Sequence, residues 1–210
     1  MKAAFFLSAR PRHVSRASRA LAPWLAHVAK AVATCLLLYG FGVAAAVPAP
    51  IPIIDAHYSL TTAEGAHVTE RSYQGKWQLI YFGFASCTDV CSLVMQEVAG
   101  AMHDLGTDAA QIQALFITLD PVNDTPKRLS DYLGRFDRRI VGLHGNMRQT
   151  REATSAFRMY FKTNTPAGGA ETIDHSSFLF LLKPDGSFAS LLPGNTAGHA
   201  LASELRRRLE

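Results

Sequence analysis

Cys87 and Cys91, spaced Cys-x-x-x-Cys within Ser86-Cys87-Thr88-Asp89-Val90-Cys91, are the residues of this chain best suited to chemistry. If a helix starts here, positions i and i+4 share one face, so both sulfurs point at one place. A helix N-terminus favours the thiolate through its unpaired amides and its dipole. Thiolate is both the nucleophile of disulfide exchange and a ligand for soft metals. The pair therefore supports redox chemistry, metal binding or both, and the spacing alone leaves an inert structural disulfide open. His175, in Asp174-His175-Ser176 between a loop and an apolar run, is a candidate third ligand. Two sulfurs and an imidazole suit Cu(I) better than hard cations, whereas zinc normally takes four ligands. A single histidine is more often a surface or hydrogen-bonded residue than a ligand, and on residue type that reading of His175 stays open.

Other chemistry-bearing residues are less organised. His57, His67, His103, His144 and His199 show no metal-ligand spacing among themselves and read as solvent-facing. Asp120, Asp124 and Asp131 could suggest a cation site, but helix capping and turn formation explain the first two. Met95 and Met102 fall within a helical apolar pattern and read as core. No Gly-rich phosphate loop and no Ser/His/Asp arrangement is present.

The elements around these residues alternate in type. His57 to Glu70 reads as a β-hairpin around Glu64-Gly65. Trp77 to Phe84 (WQLIYFGF) and Ile112 to Leu119 (IQALFITL) are continuous apolar runs, as expected of central strands buried on both faces. Val90, Val94, Val98, Met102 and Leu105 have helical spacing, which puts Cys87 near a helix start. Asp124-Thr125-Pro126 supplies a cap and a helix-starting proline for a helix through Phe136. Ile140 to Leu143 reads as a short strand and Met147 to Tyr160 as a helix. Thr163 to Thr172, with Pro166, Gly168 and Gly169, reads as a mobile loop. Ser177 to Leu182 and Ser187 to Leu192 form a hairpin around Lys183-Pro184-Asp185-Gly186, and Thr196 to Leu209 closes the chain as a helix. The whole predicts an α/β sandwich with a central β-sheet, flanking helices and an N-terminal β-hairpin.

Charge is distributed unevenly. Residues 1–54 carry six Lys or Arg and no acid, which leaves 15 basic and 17 acidic residues in the remainder. The body therefore lacks the basic footprint of a nucleic-acid binder. After the basic segment 1–30, the uncharged stretch 31–47 (AVATCLLLYGFGVAAAV) is expected to be a membrane anchor, or a signal peptide cleaved near Ala44-Ala45-Ala46. Cys35 lies inside it as a small hydrophobe. Residues 48–54 read as a stiff Pro-rich linker leading to a domain over 55–210, held across a membrane from the cytosol. Three cysteines are too few for a disulfide scaffold, so the pair Cys87 and Cys91 is expected to serve chemistry.

Four motifs in this order resemble the SCO/SenC family. They are Tyr81-Phe82-Gly83-Phe84 before Cys87-Thr88-Asp89-Val90-Cys91, then Leu119-Asp120-Pro121 with Asp124-Thr125-Pro126, then Asp174-His175-Ser176, then Lys183-Pro184-Asp185-Gly186. The resemblance covers about residues 50 to 209. It implies a thioredoxin-like fold, a single membrane anchor, and copper, as Cu(I) or Cu(II), bound by Cys87, Cys91 and His175. It also implies a metallochaperone that helps to assemble the copper centre of cytochrome c oxidase. The alternative role is a thiol–disulfide oxidoreductase that keeps the cysteines of that centre, or of another extracytoplasmic partner, reduced. The implied partners are the copper-bearing oxidase subunit or another copper chaperone. The implied location is the bacterial periplasm at the inner membrane, with the mitochondrial inner membrane as the alternative. Thr88 and Ser92 stand where the family usually has proline, which predicts a looser loop. Asn123 and His144 replace a usual arginine and threonine.

Overall fold

The computed structural model describes residues 54–87, 89–164 and 172–210. Contacts within the chain fall into two units, Met1–Ile51 and Pro52–Glu210, and all described residues belong to the second. The expected basic segment, apolar segment and most of the linker lie outside the described residues, as do Thr88 and residues 165–171 of the expected loop. Among the described residues, no helix is long and apolar enough to cross a membrane.

The apolar runs form the strands the periodicity predicts. After the hairpin β1 (Ser59–Thr62) and β2 (His67–Thr69) come β3 (Trp77–Gly83) and helix α1 (Val90–Asp104). Next are β4 (Ile112–Thr118), α2 (Pro126–Leu133), β5 (Val141–His144) and α3 (Met147–Ala156). A short hairpin of β6 (Phe161–Asn164) and β7 (Thr172–His175) follows. β8 (Phe178–Leu182), β9 (Phe188–Pro193) and α4 (Gly198–Leu209) complete the chain. The main sheet has the order β2-β1-β5-β4-β3-β8-β9, and β6-β7 forms a separate two-stranded sheet. β3, β4 and β5 run parallel, while β8 joins β3 and β1 joins β5 antiparallel. This is the thioredoxin-like α/β sandwich, with its N-terminal hairpin, that the sequence predicts.

Alternation along the central strands separates two core layers. Leu79 and Tyr81 of β3 face α1, α2 and α4, packed with Met95, Met102, Leu129 and Leu201. Ile80 and Phe82 face the other way, with Phe157, Phe180 and Leu143. Burial of each such side chain contributes about 1.5–3 kcal/mol. The two layers fix β3 on both sides, and with it the turn that carries the cysteines.

Two expectations change. The helix predicted to Tyr160 stops at Ala156. Arg158 there adopts a left-handed backbone (φ 50°), and Met159 N–H donates back to Thr154 O at 2.9 Å. These turn the chain out of the helix as Phe157 and Met159 enter the core. The flanks of the expected loop 163–172 are strands, paired Phe161↔His175 to Asn164↔Thr172. Backbone pairing and the packing of Phe161 and Ile173 against the core order this mostly polar hairpin, which no apolar alternation announces.

Candidate metal centre

β3 ends at Gly83, and a turn in which Cys87 N–H donates to Phe84 O (3.1 Å) leads to α1. The first amides of a helix have no partner within it. Asp89, the N-cap of α1, supplies no side-chain bond. The sulfur of Cys87 takes that place, accepting the Cys91 amide at 3.4 Å. Cys87 is half-buried, whereas Cys91, in the first helical turn, is fully buried.

Both are thiols, and their surroundings drive their acidities apart. Donation from the Cys91 thiol, helped by the amides of Cys91 and Asp89 and opposed by burial, lowers the Cys87 pKa to about 6. The Cys91 thiol is pushed far up, first by its bond to Cys87 and then by burial. The first proton lost by the pair therefore leaves Cys87, the more exposed sulfur with the amide donors.

His175, the last residue of β7, approaches from a different part of the chain. Its Nδ1 lies 2.9 Å from Ser176 O, and a carbonyl only accepts, so this nitrogen carries the proton. Nε2 then presents a lone pair to Cys91 Sγ at 3.8 Å. Burial, opposed by the Ser176 carbonyl and Asp174, lowers the pKa of His175 and so favours the neutral ring. Tyr81 and Phe84 hold the imidazole edge-on, each with ring centroids 6.1 Å away, and the Tyr81 hydroxyl lies 3.5 Å from Ser177 Oγ.

The fit to a metal can be tested on distance. Metal–thiolate and metal–imidazole bonds of about 2.3 and 2.0–2.1 Å place the sulfur and nitrogen on a shared ion no more than about 4.4 Å apart. The Cys91–His175 pair falls within that limit. The three side chains are joined pairwise through Cys91. Among the described residues, no three His, Cys, Asp or Glu side chains already surround one point as a metal cage. The donor set of two sulfurs and a neutral imidazole fits a soft ion.

Neighbouring residues depart from the sequence reading. Asp124 does not cap α2; Thr125 does, accepting from Arg128 N–H. Asp124 is instead buried, and its Oδ2 accepts from Ala85 N–H at 2.9 Å and from the Thr118 hydroxyl at 2.6 Å. Burial, opposed by these bonds, raises its pKa. Ser92 does not leave the loop untethered: its hydroxyl donates to Cys87 O at 3.2 Å and lies 3.5 Å from the Tyr132 hydroxyl. Of the other histidines, His57 pairs with Asp55 and His67 with Ser59, both at the surface. His144 is not solvent-facing: its Nε2 is buried without a hydrogen-bond partner. Met95 and Met102 are core, as their spacing predicts.

A sequence profile of the SCO1/SenC family matches residues 48–210. The chain is 32% identical over 155 residues to Protein sco1 of Schizosaccharomyces pombe, covering 72% of this chain and 59% of that protein. It is 34% identical over 147 residues to the mitochondrial Protein SCO1 of Saccharomyces cerevisiae, covering 69% of this chain and 50% of that protein. The chain thus spans about half the length of these relatives. Among solved structures, copper-bound ScoI of Bradyrhizobium japonicum superposes with a TM-score of 0.67 and 33% identity, covering 72% of this chain and 96% of that one.

Proposed function

Because the chain belongs to the SCO1/SenC family, we propose that it carries copper on Cys87, Cys91 and His175 and passes it on during assembly of the copper centre of cytochrome c oxidase. The observation that carries this reading is His175 Nε2 facing Cys91 Sγ at 3.8 Å, with Cys87 Sγ accepting the Cys91 amide at 3.4 Å beside it. Copper is the cargo. Cys87 meets it as thiolate, Cys91 gives up its thiol proton on binding, and His175 adds a neutral nitrogen. Two thiolates and one imidazole leave a soft ion with few ligands, so an incoming thiol of the oxidase subunit, or of another copper chaperone, exchanges with them one at a time. The test is Cu(I) titration of the reduced protein beside Cys87→Ser and His175→Ala, and unchanged affinity in both variants defeats the proposal.

A second reading, thiol–disulfide exchange, is favoured by the asymmetry of the two sulfurs. The half-buried Cys87 thiolate attacks one sulfur of a partner disulfide, and the other partner sulfur leaves as thiolate. Cys91, after losing its proton to solvent, attacks Cys87 Sγ and releases the second partner sulfur. The partner gains two electrons, and Cys87 and Cys91 end as a disulfide. Failure of an oxidised oxidase fragment to accept electrons from the reduced protein removes this role.

The basic segment 1–30 and apolar segment 31–47 support the proposal that the domain over 55–210 is held at, or secreted across, a membrane. The working location is the periplasmic face of a bacterial inner membrane, with the mitochondrial inner membrane as the alternative. Alkaline extraction of membranes distinguishes an uncleaved anchor from a released domain.

A further inference from the structure

We propose that Asp124 is a positioning residue for the cysteine loop, holding the peptide at Ala85 so that Cys87 meets Cys91. This rests on the reading of Cys87 as a copper ligand. The Asp124 carboxylate has no exposure to solvent, and one oxygen makes both of its short bonds: Ala85 N–H at 2.9 Å and the Thr118 hydroxyl at 2.6 Å. Ala85 is two residues before Cys87 and begins the turn closed by Cys87 N–H to Phe84 O. Thr118 is the last residue of β4, and the next amide, Leu119 N–H, donates to Gly83 O at 2.7 Å. The carboxylate thus clamps the end of β4 to the chain leaving β3, where strand pairing stops and the cysteine turn begins.

Helix capping does not account for this burial, since Thr125 caps α2. Nor is the group arranged for stability alone. Its Oδ1 is buried with no hydrogen bond, and the Arg128 Nε is 3.8 Å away. Burying a carboxylate is costly unless its lone pairs are satisfied, and a half-satisfied one calls for a reason. Fixing Ala85 is that reason: its N–H donates to the Asp124 carboxylate, which ties the start of the cysteine turn to the segment after β4.

The experiment measures Cu(I) affinity of the reduced, full-length protein against a chromogenic Cu(I) chelator, with the melting temperature of each copper-free variant. Asp124→Ala is expected to lower affinity about 10–100-fold, as for loss of a residue that supports a metal ligand. Asp124→Asn keeps an oxygen for Ala85 and Thr118 and recovers most of it. Leu143→Ala, in the core layer on the other face of the sheet, lowers the melting temperature but leaves affinity unchanged. Thr118→Val, which frees the carboxylate from its hydroxyl partner, lowers affinity in the same direction and carries the test if Asp124→Ala does not fold. Unchanged affinity in the Asp124 and Thr118 variants overturns the proposal, as does an affinity loss in Leu143→Ala matching its loss of stability. If Cys87→Ser leaves affinity unchanged, the copper-ligand reading fails instead. The Asp124 role is then judged by alkylation of Cys87 at fixed pH: slowing in Asp124→Ala with recovery in Asp124→Asn supports it, and an unchanged rate overturns it.

Discussion

Cys91 Sγ lies 3.8 Å from His175 Nε2, although 84 residues separate them in the chain. The contact joins the first turn of α1 to the end of the β6-β7 hairpin, and the Ser176 carbonyl fixes which nitrogen faces the sulfur. Loss of a residue that merely supports a metal ligand costs about 10–100-fold in affinity. His175→Ala, which removes a proposed ligand outright, is therefore expected to weaken Cu(I) binding by at least about 100-fold. A chelator competition on the reduced variant measures this.

The two sulfurs should differ sharply towards alkylating agents. With the Cys87 pKa near 6, its reactive thiolate accumulates as pH rises through that value, while Cys91 stays protonated. Iodoacetamide should therefore modify Cys87 first, with a rate that climbs through about pH 6 and levels off by neutrality. Mass spectrometry of the modified peptides over a pH series reads both site and midpoint; a midpoint above 8 contradicts the asymmetry.

Proton release on copper binding follows from the same asymmetry. Above pH 7 the pair has already lost one proton, and the second stays on Cys91. Cu(I) binding there should release about one proton per ion, and the count should rise by about one as pH falls through about 6, where Cys87 becomes protonated. Calorimetry in buffers of different ionisation enthalpy gives the count.

Gly194 stands against the segment that carries His175. A Cβ at this position would meet Ser177 Oγ at 2.6 Å and Ser177 O at 2.8 Å. Gly194→Ala must push Ser177 away, which costs about 1–3 kcal/mol and disturbs both Tyr81 and the neighbouring His175. Cu(I) affinity and melting temperature should fall together. Gly142→Ala, where the Cβ would lie 2.7 Å from Leu129 Cγ, should destabilise the core and leave affinity intact. Comparing the two variants separates strain at the site from strain elsewhere.

Much of this architecture is local and was legible along the chain. Continuous apolar runs marked β3 and β4 because both faces of a central strand are buried. The Cys-x-x-x-Cys spacing marked two sulfurs at a helix start because i and i+4 share a face. Asp124-Thr125-Pro126 marked the start of α2 through capping chemistry that needs only neighbouring residues, although the cap is Thr125 and not Asp124. The β6-β7 hairpin escaped notice because its strands are half-exposed and mostly polar, with one apolar residue each, Phe161 and Ile173, against the core.

By itself, then, the sequence determined the sheet-and-helix frame, the thiol pair and, through ordered motifs, the family. Only the tertiary structure decided which nitrogen of His175 faces Cys91, that Asp124 reaches across to Ala85, and that Ser92 ties down the loop where proline is missing. Each of these is a contact between segments distant in the chain or a choice among hydrogen-bond partners. Such choices depend on which groups remain buried and unpaired once the layers close, and residue types in order do not carry that information.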